Sequence, residues 1–202
     1  MLACRLPPGD EGHVTEAWLV RSPWISLALC AVVYALEYAL GRYEADLYVG
    51  GAKQYVTYVF EHKWLAPYQD HGRWRVSPRL LLAIGALCVM VPVAWLSLVR
   101  EFGQKEVFLF LLGGVLLAEA AGCIQRARNI LLFWRVRRTG LRFGRLRLTE
   151  RKVLVRSAVE LFSFALLYAL IFLVTMNWLF LGGAANCLIT GIRRRDLAII
   201  CR

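Results

Sequence analysis

Three carboxylates lie inside strongly apolar stretches of this 202-residue chain: Glu37, Glu119 and Glu160. Ionisable groups at membrane depth are costly, and they are usually paired or functional. At a helical rise of about 1.5 Å per residue, Glu37 and Glu160 lie about 6 Å from the cytoplasmic ends of their predicted spans, and Glu119 lies about 10 Å from Arg126, the first basic residue after its span. Such groups are suited to a proton or cation path, to a lipid-headgroup pocket or to general acid–base chemistry.

Polar residues close to these carboxylates predict one shared polar site in the inner half of the membrane. The further members of this site are Gln125, Arg126, Arg128, Asn129 and Arg156. Structural pairing is the alternative, because Glu160 lies four residues after Arg156 on the same helix face. Glu37 is also shallow enough to reach interfacial water. Glu119 is the deepest carboxylate, and the nearest base on its helix face is two turns away, so it is the strongest candidate for a functional role.

The composition points to a membrane protein. Hydrophobic residues make up 59% of the chain and charged residues 19%, against about 45–50% and about 25% in average soluble proteins. The net charge is nevertheless +11, so the apolar and basic characters must occupy different parts of the chain. These values exclude a disordered chain, collagen and a disulfide-rich miniprotein, and they predict a polytopic membrane protein with basic loops.

Five apolar stretches predict an all-α bundle of five transmembrane helices, because about 20 helical residues cross a bilayer core of about 30 Å. The predicted spans are residues 22–41, 80–99, 107–124, 156–174 and 178–192, in a single membrane domain over residues 1–202. The third helix is expected to continue into the cytoplasm to about residue 136. The last two spans come from one stretch that is too long for a single crossing, and Asn177 and Trp178 predict the break between them.

The distribution of Lys and Arg predicts the orientation. Residues 126–156 contain eleven basic residues and one acid, Glu150, and basic connections of this kind remain cytoplasmic. Five spans then place the N-terminus outside, the C-terminus inside and 21 of the 25 basic residues in the cytoplasm. Four spans, or a re-entrant last segment, are the alternatives. We expect the membrane to be a bacterial or archaeal plasma membrane.

Two cytoplasmic connections carry further features. In the first, apolar residues recur on one helical face and predict an amphipathic interfacial helix over about residues 51–64, with an ordinary packed helix as the alternative. In the second, the basic loop 137–153, five arginines are candidates for binding anionic lipids or a partner, although the positive-inside rule alone explains their number. These arginines are Arg137, Arg138, Arg142, Arg145 and Arg147.

Small residues recur every four positions on the third and fifth spans, a pattern typical of close helix packing in membranes. They are Gly114, Ala118 and Gly122 on the third span and Gly183, Cys187 and Gly191 on the fifth. Such faces pack either within one chain or between copies. We therefore expect a homo-oligomer or a membrane-protein partner in addition to the lipid bilayer and its anionic lipids.

Sequence motifs for catalysis or cofactor binding are absent: there is no P-loop, G-x-S-x-G or H-E-x-x-H. We expect no cofactor, no metal and, without a nucleic-acid-binding signature, no nucleic-acid partner. The predicted function is noncatalytic, that of a small channel or transport subunit with a polar inner-half site. One alternative is a membrane-embedded enzyme on a lipid-like or isoprenoid substrate, with Glu119 as acid/base and Arg126 and Arg128 as anion clamp. Another is a scaffold or accessory subunit that docks a partner through its basic loop.

Overall fold

The computed structural model describes residues 18–59, 78–139 and 146–200, and about 90% of these residues are helical. The five long helices are α1 (Pro23–Val49), α2 (Pro78–Ala94), α3 (Lys105–Thr139), α4 (Glu150–Thr175) and α5 (Trp178–Ile200). The shorter elements are a 3-10 turn (Ala52–Gln54), a π-helix (Trp95–Glu101) and two strands, β1 (Val56–Val59) and β2 (Leu146–Thr149). The prediction of an all-α protein is confirmed.

Four helical segments are long and apolar enough to cross a membrane: α1, α2 with its π-helical continuation (Leu80–Glu101), α3 and α4. The predicted break after α4 is also present. The helix ends at Thr175, Met176 adopts the left-handed conformation with φ 52°, and α5 begins at Trp178. Asn177 Oδ1 accepts a hydrogen bond of 2.9 Å from the backbone N–H of Leu179, which satisfies one of the free donors at the start of α5.

All five helices extend beyond the predicted spans, and the longest extensions are those of α1, α3 and α5. α1 continues from Gly41 to Val49, because one glycine weakens a helix interior without ending it. It ends at Gly50 and Gly51, and Gly51 has φ 149°, a conformation that side-chain-bearing residues rarely adopt. α3 continues to Thr139, close to its predicted end. These extensions contain polar residues that follow the apolar stretches of the same helices.

The predicted interfacial helix over residues 51–64 is wrong for residues 56–59, which form a strand, and only Ala52–Gln54 are helical, as a 3-10 turn. Residues 60–64 lie outside the described residues. Val56 to Val59 form β1, which pairs in parallel with β2, with Val56 opposite Leu146. Four consecutive β-branched or aromatic residues favour a strand over a helix. The apolar side chains are still buried, since Ala52 and Val56 pack with Phe133 of α3, and all three are fully buried.

The helix bundle is built around α3, which packs against both α1 and α5, while α4 packs along α5 and α2 along α1. The closest approach joins α3 to α5. A Cβ atom added at Gly113 would lie 1.8 Å from the carbonyl oxygen of Leu179, and one at Gly182 would lie 1.8 Å from that of Phe110. Glycine is required at these two positions because the two backbones are in contact.

The predicted small-residue positions face neighbouring helices within the chain. Gly114 faces Gly182, and Gly183 faces Leu117, so these two positions belong to the contact between α3 and α5. Ala118 and Cys187 pack in the cluster of apolar residues at the same contact. Gly122 instead faces α1, and Gly191 faces α4.

Candidate functional site

A cavity of about 370 Å³ lies where α1, α3, α4 and α5 come together beneath the two-stranded sheet. Six of the residues predicted from sequence line it: Glu37, Gln125, Arg126, Arg128, Asn129 and Arg156. Five further residues complete its polar lining: Glu44, Tyr58, Lys152, Ser157 and Arg194. The polar positions predicted on three separate helices therefore meet at one cavity.

Arg126 connects α3 to α1 on one side of the cavity. Its Nε lies 3.0 Å from Glu37 Oε1, and its Nη1 lies 2.9 Å from Glu44 Oε2. Glu37 and Glu44 are seven residues apart and so lie two turns apart on one helix face. Asn129 Nδ2 donates a further hydrogen bond of 2.7 Å to Glu44 Oε1. Both carboxylates on this side of the cavity are thus held by donors from α3.

Arg128 and Glu160 form an ion pair between α3 and α4. Arg156 Nε lies 3.4 Å from the same carboxylate oxygen, Glu160 Oε1, at the i, i+4 spacing that the sequence predicts. Arg128 Nη2 also donates a hydrogen bond of 3.0 Å to Asn129 Oδ1. One polar network therefore runs from α1 through α3 to α4, and Glu160 is shared between two arginines.

Arg194 reaches the cavity from α5, and its hydrogen-bond partners there are neutral side chains. Its Nη1 donates a hydrogen bond to Ser157 Oγ on α4 and lies 3.5 Å from Gln125 Oε1 on α3. Within the described residues it has no carboxylate partner. Burial lowers the pKa of its guanidinium, and the positive charge of Arg126 lowers it further. Arginine nevertheless remains protonated in proteins, so a half-buried positive charge is left without a protein counter-charge.

The charge balance of the cavity is positive. In the described part of the lining, five basic side chains (Arg126, Arg128, Lys152, Arg156 and Arg194) face two carboxylates (Glu37 and Glu44). Glu160, which pairs with Arg128 and Arg156, adds a third negative charge next to the lining. Two positive charges remain in excess, and they are not balanced by any described residue of the cavity.

Glu119 does not line this cavity. It lies close to Tyr34, at the contact between α1 and α3. The structure thus separates the three predicted carboxylates: Glu37 lines the cavity, Glu160 lies beside it in an ion pair, and Glu119 lies next to a tyrosine elsewhere. That tyrosine belongs to a neighbouring helix, so the polar residues of α3 alone do not reveal it.

The predicted loop arginines lie away from the cavity where the structure describes them. Arg142 and Arg145 lie outside the described residues. Arg137, Arg138 and Arg147 are exposed, and the Arg138 guanidinium lies 5.4 Å from the centre of the Trp134 ring. This stacking places Arg138 on the surface of α3, and Arg147 lies in β2.

Two charged residues of the cavity, Glu44 and Arg194, are not among the site residues predicted from the sequence. Ending α1 at Gly41 places Glu44 in a loop, although its spacing of seven residues from Glu37 is the signal of a shared helix face. In the sequence-based prediction, Arg194 is only one of the basic residues that the positive-inside rule places in the cytoplasm. Its role in the cavity depends on α5 packing antiparallel to α4, which no local pattern reveals.

Among the described residues, no group of three or more His, Cys, Asp or Glu side chains is arranged to hold a metal ion. No known protein family, curated protein or solved structure matches this chain.

Proposed function

We propose that this chain is an integral membrane protein with five spans, N-terminus outside and C-terminus inside, and that its cavity binds the anionic headgroup of a membrane lipid. The observation that carries the proposal is Arg194, a half-buried guanidinium in the cavity with no carboxylate partner among the described residues. A buried charge is costly unless it is paired. An anionic ligand would supply the missing negative charge.

The position of the cavity along the helices supports a lipid as the source of that charge. Its basic residues come from the second half of α3, the first two turns of α4 and the end of α5, all next to apolar stretches. In the proposed five-span arrangement this is the cytoplasmic boundary of the membrane, where headgroup phosphates lie and basic clusters attract them. Arginine is also well suited to phosphate, because its planar guanidinium can donate two parallel hydrogen bonds.

The antiparallel packing of α4 and α5 supports the five-span arrangement. Arg194, near the end of α5, contacts Ser157, near the start of α4. Both helices therefore cover the same depth in opposite directions. If α4 crosses the membrane, the apolar residues 178–192 of α5 return the chain to the cytoplasmic side.

The geometry favours an anion over the cation path of a channel. A cation path needs carboxylates that are available to the ion, but Glu37 and Glu44 are both held by Arg126. Glu119, the deepest carboxylate, lies outside the cavity lining. The membrane-enzyme and scaffold hypotheses stay predictions, and lipid binding is compatible with either one.

Thermal unfolding of the purified protein in detergent tests the proposal. Added phosphatidylglycerol should raise the Tm above the value in added phosphatidylcholine, since a ligand at 100 times its Kd stabilises by about 2.7 kcal/mol. Arg194→Gln should abolish this difference. Arg193→Gln, which removes the same charge from an exposed neighbour on α5, should retain it. Equal stabilisation by the two lipids, or equal behaviour of the two variants, would show that the proposal is wrong.

A further inference from the structure

We infer that the cavity selects a lipid with a terminal phosphate, such as a phosphomonoester, over a lipid whose phosphate is a diester, and that the phosphate binds at the wall formed by α4 and α5. This inference rests on the proposed function, because it names the class of headgroup that the same site takes. It differs from the sequence-based expectation, in which Arg126 and Arg128 form the anion clamp.

The distribution of charge within the cavity locates the phosphate. Arg126 already faces two carboxylates, so the wall formed by α1 and α3 offers an anion no free positive charge there. Arg194 on α5 and Lys152 on α4 have no ion pair among the described residues, and both line the cavity. The positive charge that is open to a ligand therefore lies on the wall formed by α4 and α5.

The size of the charge excess indicates the class of phosphate. Five basic side chains against three carboxylates, counting Glu160, leave two positive charges. A phosphodiester headgroup such as that of phosphatidylglycerol brings one negative charge, whereas a phosphomonoester brings about −1.5 to −2 near neutral pH. Only the terminal phosphate comes close to neutralising the cavity.

The hydrogen-bond donors of the cavity agree with this assignment. The buried Nε2 atom of Gln125 has no acceptor among the described residues, although the Oε1 atom of the same amide faces Arg194. A buried donor without a partner is destabilising, so an acceptor on the ligand is favourable at this position. Donors thus approach from α3, α4 and α5, and a phosphomonoester presents three free oxygens to meet them, where a diester presents two.

Apolar side chains in the lining favour a lipid over free phosphate. Leu132, Leu154 and Leu197 line the same cavity as the basic residues. A soluble anion gains nothing from leucine side chains, whereas the glycerol and first methylenes of a lipid bury apolar area against them. The source of the phosphate is therefore the membrane.

The test compares four probes on the intact protein in detergent: phosphatidic acid, phosphatidylglycerol, phosphatidylcholine and inorganic phosphate. Apparent affinities come from the increase in Tm with probe concentration at pH 8. We expect phosphatidic acid to bind at least tenfold more tightly than phosphatidylglycerol. Equal binding of these two, with both tighter than phosphatidylcholine, would overturn the inference and leave the proposed function intact. Equal binding of all three lipids would overturn both.

Inorganic phosphate separates the two sources of a terminal phosphate. Protection by inorganic phosphate at the same concentration as phosphatidic acid would overturn the assignment to a lipid. We expect it to protect only at concentrations at least a hundredfold higher.

Charge variants test the position of the phosphate. Lys152→Gln and Arg194→Gln should each reduce the preference for phosphatidic acid about tenfold, while Arg151→Gln, an exposed neighbour, should leave it unchanged. Retention of the full preference in both Lys152→Gln and Arg194→Gln would overturn the assignment of the phosphate to the wall formed by α4 and α5.

Discussion

Arg126 Nη1 lies 2.9 Å from Oε2 of Glu44, a carboxylate whose side chain is completely buried, so an ion pair fixes α1 to α3 beside the cavity. A second donor, Asn129 Nδ2, lies 2.7 Å from the other oxygen of the same carboxylate. Burial of a carboxylate is tolerated only while such partners are in place. This pair is therefore needed to hold the two helices in register, apart from any role in ligand binding.

Replacing Arg126 by Gln should destabilise the protein by about 2–4 kcal/mol. Breaking a buried ion pair costs about 3–5 kcal/mol, and the value here is reduced because the Arg126 side chain remains 39% exposed. Arg135→Gln, on an exposed position of the same helix, is the matched control and should change stability by less than about 0.5 kcal/mol. Chemical unfolding in detergent, followed by circular dichroism, measures both.

The double variant Arg126→Gln/Glu44→Gln checks the cause of that loss. It should be more stable than Arg126→Gln alone, because the fully buried carboxylate of Glu44 is then neutral as well and no longer needs the lost positive charge. If the two substitutions were simply additive, the ion pair would not be the source of the destabilisation.

Much of the fold is predictable from the sequence because the signals are local. Apolar stretches of helical length predict the helices, and the break at Asn177 follows from the length of the stretch that contains it. The strand β1 is not predictable in the same way. Its residues also fit one helical face, and the choice between the two structures depends on a partner strand about 90 residues away in sequence.

In the candidate site, too, some residues are identified by local sequence signals and others only by their tertiary contacts. Glu37, Arg126 and Arg156 can be found as polar residues at the ends of apolar stretches, and the structure brings them to one cavity. Arg194 and Glu119 are different, since the role of each depends on the helix that faces it. Arg194 meets Ser157 of α4 and Glu119 meets Tyr34 of α1, and such contacts are set by tertiary packing.

The contact between α3 and α5 should be sensitive to a single methyl group. Gly182→Ala should destabilise the protein by about 2–3 kcal/mol, because the new Cβ would lie 1.8 Å from a backbone oxygen and overpacking typically costs about 1–3 kcal/mol. The helices would have to separate, which would also weaken the hydrogen bond of 2.6 Å from Asn186 Nδ2 to the carbonyl oxygen of Gly114. The Tm in detergent measures the effect.

Gly85→Ala is the control for that experiment. Gly85 lies within α2, and a Cβ atom there meets nothing within 4 Å. Alanine favours a helix interior over glycine by about 0.5–1 kcal/mol, so this variant should be neutral or slightly more stable. A Gly182→Ala variant as stable as Gly85→Ala would contradict the close backbone contact between α3 and α5.

The number of spans can be tested with reporters fused at two truncation points on either side of α5. In the five-span arrangement, a fusion after Met176 places the reporter outside and a fusion after Arg202 places it inside, because residues 178–192 cross the membrane between them. Alkaline phosphatase should then be active only in the first fusion, and green fluorescent protein should fluoresce only in the second. A fusion after Gly103, between the π-helix and α3, is the control and should read outside. The four-span arrangement predicts the same side for the Met176 and Arg202 fusions, so phosphatase activity in both would show that α5 does not cross the membrane.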